Sequence, residues 1–97
     1  MAREHERYAA TLNERVAQRI DELRQERDLS VNWLADFSGL DRGYMSRLLR
    51  GKVNPSLRTL ALIANALDVQ FGSLCEVEEP ERPGPAARKR AGKGRKA

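Results

Sequence analysis

Residues 31–50, VNWLADFSGLDRGYMSRLLR, constrain the fold more tightly than any other part of this 97-residue chain. Ala35, Gly39, Met45 and Leu48 stand at positions 5, 9, 15 and 18 of the stretch, a spacing that suits two short helices meeting at roughly 90 to 120° across a tight turn. Where the two backbones approach there is no room for a large side chain, and Ala35 leaves none. The bend needs a residue that tolerates positive φ, and Gly39 does so without a Cβ clash. Met45 and Leu48, three apart, share the buried face of the second helix and leave Arg42, Gly43, Ser46 and Arg47 facing outward.

The rest of the chain reads as helix. Leu12, Val16, Ile20 and Leu23 recur at spacings of four, four and three, an amphipathic helix ending near residue 27, with Thr11 as a candidate N-cap and Glu14 three residues later. Ser30 is placed to cap the second helix and Asp41 the third, which Gly51 ends as a C′ residue. Asn54, Pro55 and Ser56 form a helix-start signal, and Leu57, Leu60, Ala61, Ala64 and Leu67 mark one face of a fourth helix. A short fifth helix, about residues 69–75, supplies Phe71 and Leu74. No alternating pattern is long enough for a sheet, so the fold class is all-α.

Charge is unevenly spread. Residues 30–58 carry five basic and two acidic groups and residues 76–97 seven and four, whereas residues 1–29 hold six basic and seven acidic groups. The positive excess therefore lies on the helix-turn-helix and on the C-terminal segment, which favours a polyanionic partner, nucleic acid above all. The outward face of the second short helix is then the face that enters a DNA groove. Beyond residue 77 no apolar side chain is larger than alanine, and the segment is read as a disordered basic tail over residues 78–97. Arg88, Lys89, Arg90, Lys93, Arg95 and Lys96 make it either a phosphate-binding arm or a solvated charged tail. Residues 1–10 are read as an N-terminal extension that can prolong the first helix, and residues 11–77 as the folded domain.

Other classes find little support. His5 is the only histidine, Cys75 has no histidine near it in sequence, and no glycine-rich phosphate loop or metal-ligand cluster appears. The expectation is no enzyme, no cofactor and no metal, with Cys75 a small buried apolar residue. A single cysteine excludes an internal disulfide, and no apolar run nears the ~18 residues of a membrane span, which fits a reduced, cytoplasmic protein without a membrane partner.

Residues 16–74 resemble the Cro and lambda-repressor group of helix-turn-helix proteins, often called Xre-type. The resemblance rests on Leu23-Arg24, Leu29-Ser30, Leu34-Ala35, Gly39-Leu40, Met45-Ser46-Arg47-Leu48, Gly51-Lys52, Asn54-Pro55-Ser56 and Leu67-Asp68-Val69, in that order and spacing. It implies a compact five-helix domain that lays its third helix in the major groove of double-stranded DNA. Arg42, Gly43 and Arg47 then fall at base-contacting positions with Tyr44 and Ser46 beside them, the arginines suited to guanine O6 and N7. Ser30, Arg50, Lys52, Asn54 and Ser56 fall at phosphate-contacting positions. It also implies a transcriptional repressor acting as a homodimer on an inverted repeat, recognition helices about 34 Å apart, with Leu62, Val69, Phe71 and Leu74 as interface candidates.

Three positions depart from the family pattern. Val31 replaces the glutamine that commonly opens helix 2 and clamps a phosphate. Leu49 replaces a glutamate that commonly pairs with an arginine of helix 1, so Arg24 is expected to turn to another carboxylate or to solvent while Leu49 packs among apolar neighbours. Trp33 and Phe37, four apart on helix 2, replace polar residues. Either the N-terminal extension, as a prolonged first helix, covers them with Tyr8 or Leu12, or they bind a protein partner, as in an antitoxin-like regulator that also controls its own operon.

Overall fold

A computed structural model of the chain describes residues 2–84, and among these it contains helices and no strand. The helices are α1 (Ala2–Glu26), α2 (Val31–Ser38), α3 (Arg42–Leu49), α4 (Leu57–Leu67) and α5 (Phe71–Leu74). Helix 1 does not start at Thr11. Residues 2–10 contain no glycine or proline and are rich in Ala, Arg and Glu, all good helix formers, so α1 runs back to Ala2 and the extension prolongs it.

Four helices stop in the same way. A residue in the left-handed region follows each of α1 to α4: Asp28 (φ 56°), Gly39 (74°), Gly51 (73°) and Asp68 (59°). The next N–H then reaches back to a carbonyl of the last turn: Leu29 to Arg24 at 3.1 Å, Leu40 to Ala35 at 2.8 Å, Lys52 to Arg47 at 2.9 Å and Val69 to Ala64 at 3.1 Å. These are Schellman closures, which satisfy carbonyls the helix leaves unpaired. The starts are equally well specified. Ser30, Asp41 and Ser56 accept hydrogen bonds from the N–H groups of Trp33, Tyr44 and Thr59, at 2.9, 2.9 and 3.0 Å.

The core draws on every helix: Ile20 and Leu23 from α1, Leu34 and Ala35 from α2, Met45 and Leu48 from α3, Ile63, Ala64, Ala66 and Leu67 from α4, and Leu74 from α5. Each fully buried Leu, Ile or Met contributes about 1.5–3 kcal/mol relative to exposure. Helix 2 packs on α3 and α4, and α1 on α3 and α5. Val31 and Leu49 rest half-buried against this core: Leu49 packs among apolar neighbours where the family's glutamate would pair, and Val31 offers no polar group for the glutamine's phosphate contact. Arg24 does turn to another carboxylate: its Nε and Nη2 lie 2.9 and 2.8 Å from Asp21 Oδ1. Its Nη1 donates to the Leu29 carbonyl at 2.7 Å, tying the end of α1 to the start of α2.

The buried face of α4 differs from the one its leucines suggest. Ile63 and Ala66 are buried, whereas Ala61 is exposed and Leu57 keeps 69% of its surface in water. The helix begins outside the core at Ser56, so its first turn projects past the rim, and the buried stripe starts at half-buried Leu60. Cys75 is exposed rather than buried, because it ends the single turn of α5 while Leu74 takes the inward position.

The chain after α5 runs back along the prolonged α1. Arg19 Nε donates to the Ser73 carbonyl at 2.9 Å, Arg15 Nη1 to the Glu78 carbonyl at 2.6 Å, and the Tyr8 hydroxyl to Glu79 Oε1 at 3.4 Å. Residues 78 and 79, where the sequence reading begins the tail, are thus hydrogen-bonded to α1. The basic residues from Arg88 to Lys96 lie outside the described residues.

Candidate nucleic-acid interface

The corner between α2 and α3 sets the geometry of the site. Ala35 is fully buried beneath it, Gly39 turns the chain in the left-handed region, and Asp41 starts α3 through its cap. Met45 and Leu48 are buried, fixing the rotation of α3 about its axis, so Arg42, Gly43, Ser46 and Arg47 point to solvent as their spacing predicts. Arg50 continues this face just past the helix, its Nε donating to the Ser46 carbonyl at 3.3 Å.

The two outward arginines of α3 are held differently. Arg42 makes a two-point ion pair across the corner with Asp36 of α2, Nε to Oδ1 at 3.1 Å and Nη2 to Oδ2 at 2.6 Å. The Arg42 hydrogen bond, and then its charge, hold the Asp36 carboxyl below the usual carboxylate range. Arg47 has no carboxylate partner among the described residues. A Cβ added at Gly43 would come within 3.5 Å of Arg47 Nη1 and 3.1 Å of Asp41 Oδ2, so the missing side chain leaves space for both the guanidinium and the cap. Tyr44 is half-buried and packs on the core, which limits it to the edge of the exposed face.

Of the residues expected at phosphates, Lys52 and Asn54 are exposed in the loop after α3. Ser30 and Ser56 already use Oγ as a cap acceptor, and Ser56 Oγ also donates to Thr59 Oγ1 at 3.1 Å. The first-turn N–H groups of α2 and α4 behind these caps carry partial positive charge. The surface so formed has Arg42, Arg47, Arg50 and Lys52 as cations. Its two acids, Asp36 and Asp41, are engaged by Arg42 and by the Tyr44 N–H.

Asp36 is a residue of this surface that the sequence pattern alone does not single out. The available signal was an acid on the first arm of the corner and an arginine six residues later on the second, a separation the turn closes. Among the interface candidates, Leu74 is fully buried within its own chain and Val69 packs half-buried on the core, whereas Leu62 is half-buried and Phe71 is 37% exposed. Trp33 and Phe37 are covered by neither Tyr8 nor Leu12 and remain exposed. Tyr8 is hydrogen-bonded to Glu79 instead, because the prolonged α1 carries it toward the returning C-terminal segment.

Comparison with known proteins agrees with this architecture. An immunity repressor protein of Bacillus phage phi105 is 41% identical over 59 residues, covering 61% of this chain and 41% of the relative. The HTH-type transcriptional regulator DdrOP3 of Deinococcus deserti is 37% identical over 62 residues, covering 64% and 48%. The chain thus spans less than half the length of these two curated relatives. The crystal structure of the restriction-modification controller protein C.AhdI from Aeromonas hydrophila superposes with a TM-score of 0.63 at 42% identity, covering 67% of this chain and 97% of that one. Residues 20–74 match the helix-turn-helix family HTH_3. With α2, turn and α3 in place and a family match across more than half its length, the chain belongs to the HTH_3 helix-turn-helix family, whose relatives found here are regulators and repressors rather than enzymes.

Proposed function

We propose that this chain binds double-stranded DNA sequence-specifically and represses transcription as a homodimer that occludes a promoter, one α3 per protomer in successive major grooves of an inverted repeat. The observation that carries this reading is Arg47: a guanidinium with no carboxylate partner among the described residues, on the outward face of the capped helix α3, beside a glycine that permits close approach. Arg42 and Arg47 read guanines, Gly43 and Ser46 keep the helix surface low, and Tyr44 contacts the groove wall from the edge. Arg50, Lys52, Asn54 and the amides behind Ser30 and Ser56 hold phosphates and set the register. A single module of this size buries too little DNA for tight specific binding, so a dimer through Leu62 and Phe71, flanked by Val69, completes the unit. Such a regulator acts in the cytoplasm, on the nucleoid.

Selection of bound duplexes from a random pool, with the full chain and with Arg47→Ala, tests the reading. It predicts an inverted repeat whose half-sites contain guanine, and loss of preference at one position in the variant. Uniform weakening with an unchanged preference would refute base reading by Arg47. Sedimentation that shows only monomer at high micromolar concentration, with and without the selected duplex, would refute the dimer.

The exposed Trp33–Phe37 stack supports a second reading, a protein partner bound on the outer face of α2 by a regulator that also controls its own operon. A small protein that co-purifies with the chain, and is lost with Trp33→Ala at unchanged stability, distinguishes it.

A further inference from the structure

The Asp36–Arg42 pair joins two helices, yet both side chains keep more than half their surface in water, 55% and 58%. Water screens such a pair, so it adds little to stability. Its effect is geometric. A guanidinium carries five N–H donors in a flat fork, and Asp36 takes two of them, one on Nε and one on Nη2. Of the three left over, one on Nη1 and one on Nη2 form the end edge at the tip of the side chain, and the second on Nη1 points back along the opposite side. That end edge is a parallel donor pair, which matches O6 and N7 of guanine in the major groove.

A free arginine on a basic surface has a competing choice, because any phosphate oxygen accepts its donors. Asp36 restricts that choice twice over. It occupies the side edge of the fork, and its negative charge opposes the approach of a phosphate to the same guanidinium. The hydrogen bond and charge of Arg42 hold the Asp36 carboxyl below the usual carboxylate range, so it is ionised and the arrangement is in place at neutral pH. Arg47 on the same face has no such partner among the described residues.

We infer that Asp36 is a specificity-determining positioning residue, presenting the end edge of Arg42 to a guanine and keeping that guanidinium off the phosphate backbone. This rests on the DNA-reading function proposed above.

The test uses the full chain, Asp36→Ala, Asp36→Asn and Arg42→Ala, each carried through selection from a random duplex pool. Anisotropy titrations follow on the selected duplex, on versions with single guanines replaced, and on an unrelated duplex, across a salt series. Arg42→Ala is expected to abolish preference for guanine at one position of the half-site. At that position Asp36→Ala should lower discrimination roughly fivefold or more. Its binding to the unrelated duplex should tighten, with a salt slope steeper by about 1 as the released arginine takes a phosphate. Asp36→Asn, which keeps one acceptor and loses the charge, should fall between. Undiminished discrimination in Asp36→Ala or an equal loss at all positions overturns the proposal alone, and an Arg42→Ala profile identical to wild type overturns it together with the reading of a guanine by Arg42. A wild-type chain that binds duplex without base preference overturns it together with the reading beneath it.

Discussion

Trp33 and Phe37 stack on the outer face of α2 with ring centroids 4.9 Å apart and planes 9° from parallel, and they keep 42% and 59% of their surface in water. Their contact is with each other more than with the core, so their removal is cheap compared with a core truncation. Phe37→Ala is expected to lower stability by about 1 kcal/mol, whereas Leu34→Ala, one helix position after Trp33 and fully buried, should cost about 2–5 kcal/mol. Denaturant unfolding measures both. As the only tryptophan, Trp33 should also be readily quenched by acrylamide in the native state.

Gly51 carries two demands at once. Its φ of 73° is a left-handed value, and a Cβ placed on it would meet Glu14 Cγ at 3.2 Å and Glu14 Cα at 3.4 Å. The backbone of α1 cannot yield as a side-chain tip can. Gly51→Ala should therefore cost about 2 kcal/mol or more in thermal or chemical unfolding. The converse change, Asp28→Gly at φ 56°, removes a Cβ from the left-handed region and should raise stability by up to about 1 kcal/mol.

Ser30 and Ser56 cap α2 and α4 through their Oγ atoms. Ser30→Ala and Ser56→Ala should each lower stability by about 1 kcal/mol. Ser→Asp at either site keeps the cap and restores stability, yet adds a negative charge where phosphate is expected. Weaker DNA binding by the aspartate variants at wild-type stability checks that assignment.

The pairing with Arg42 sets the titration of Asp36. Because the folded carboxyl titrates below its ordinary range, the pair is complete at neutral pH, persists through the usual carboxylate range, and is lost only as pH falls through the depressed value. Carbon-13 NMR of the Asp36 carboxyl should give a midpoint below that of an aspartate in an unstructured peptide. In Arg42→Ala it should return to the ordinary range; a wild-type midpoint already there would contradict the ion pair.

Periodicity and capping residues carried most of the architecture. Ser30, Asp41, Ser56, Gly39 and Gly51 mark helix ends because their chemistry is local, and the inward turn of Met45 and Leu48 follows from spacing alone. Contacts between distant segments were less legible. Thr11 looked like a cap because serine and threonine often are, but nothing before it breaks a helix, and α1 simply continues. Leu57 resembles a core residue by its type, yet lies one turn outside the region that other helices cover. The significance of Asp36 arises from a corner that brings position 36 to position 42, a proximity that helix periodicity does not report. The exposure of Trp33 and Phe37 likewise depends on where α1 carries Tyr8.

Atomic substitution in the DNA separates reading of base edges in the major groove by α3 from any other mode of binding. In the selected duplex each preferred guanine is replaced by 7-deazaguanine, which lacks the major-groove N7, or by inosine, which lacks only the minor-groove amino group. Binding is then followed by anisotropy at fixed salt. Each contacted guanine changed to 7-deazaguanine should weaken binding about tenfold, and inosine should change it little. Weakening by inosine with indifference to 7-deazaguanine would contradict major-groove reading by α3.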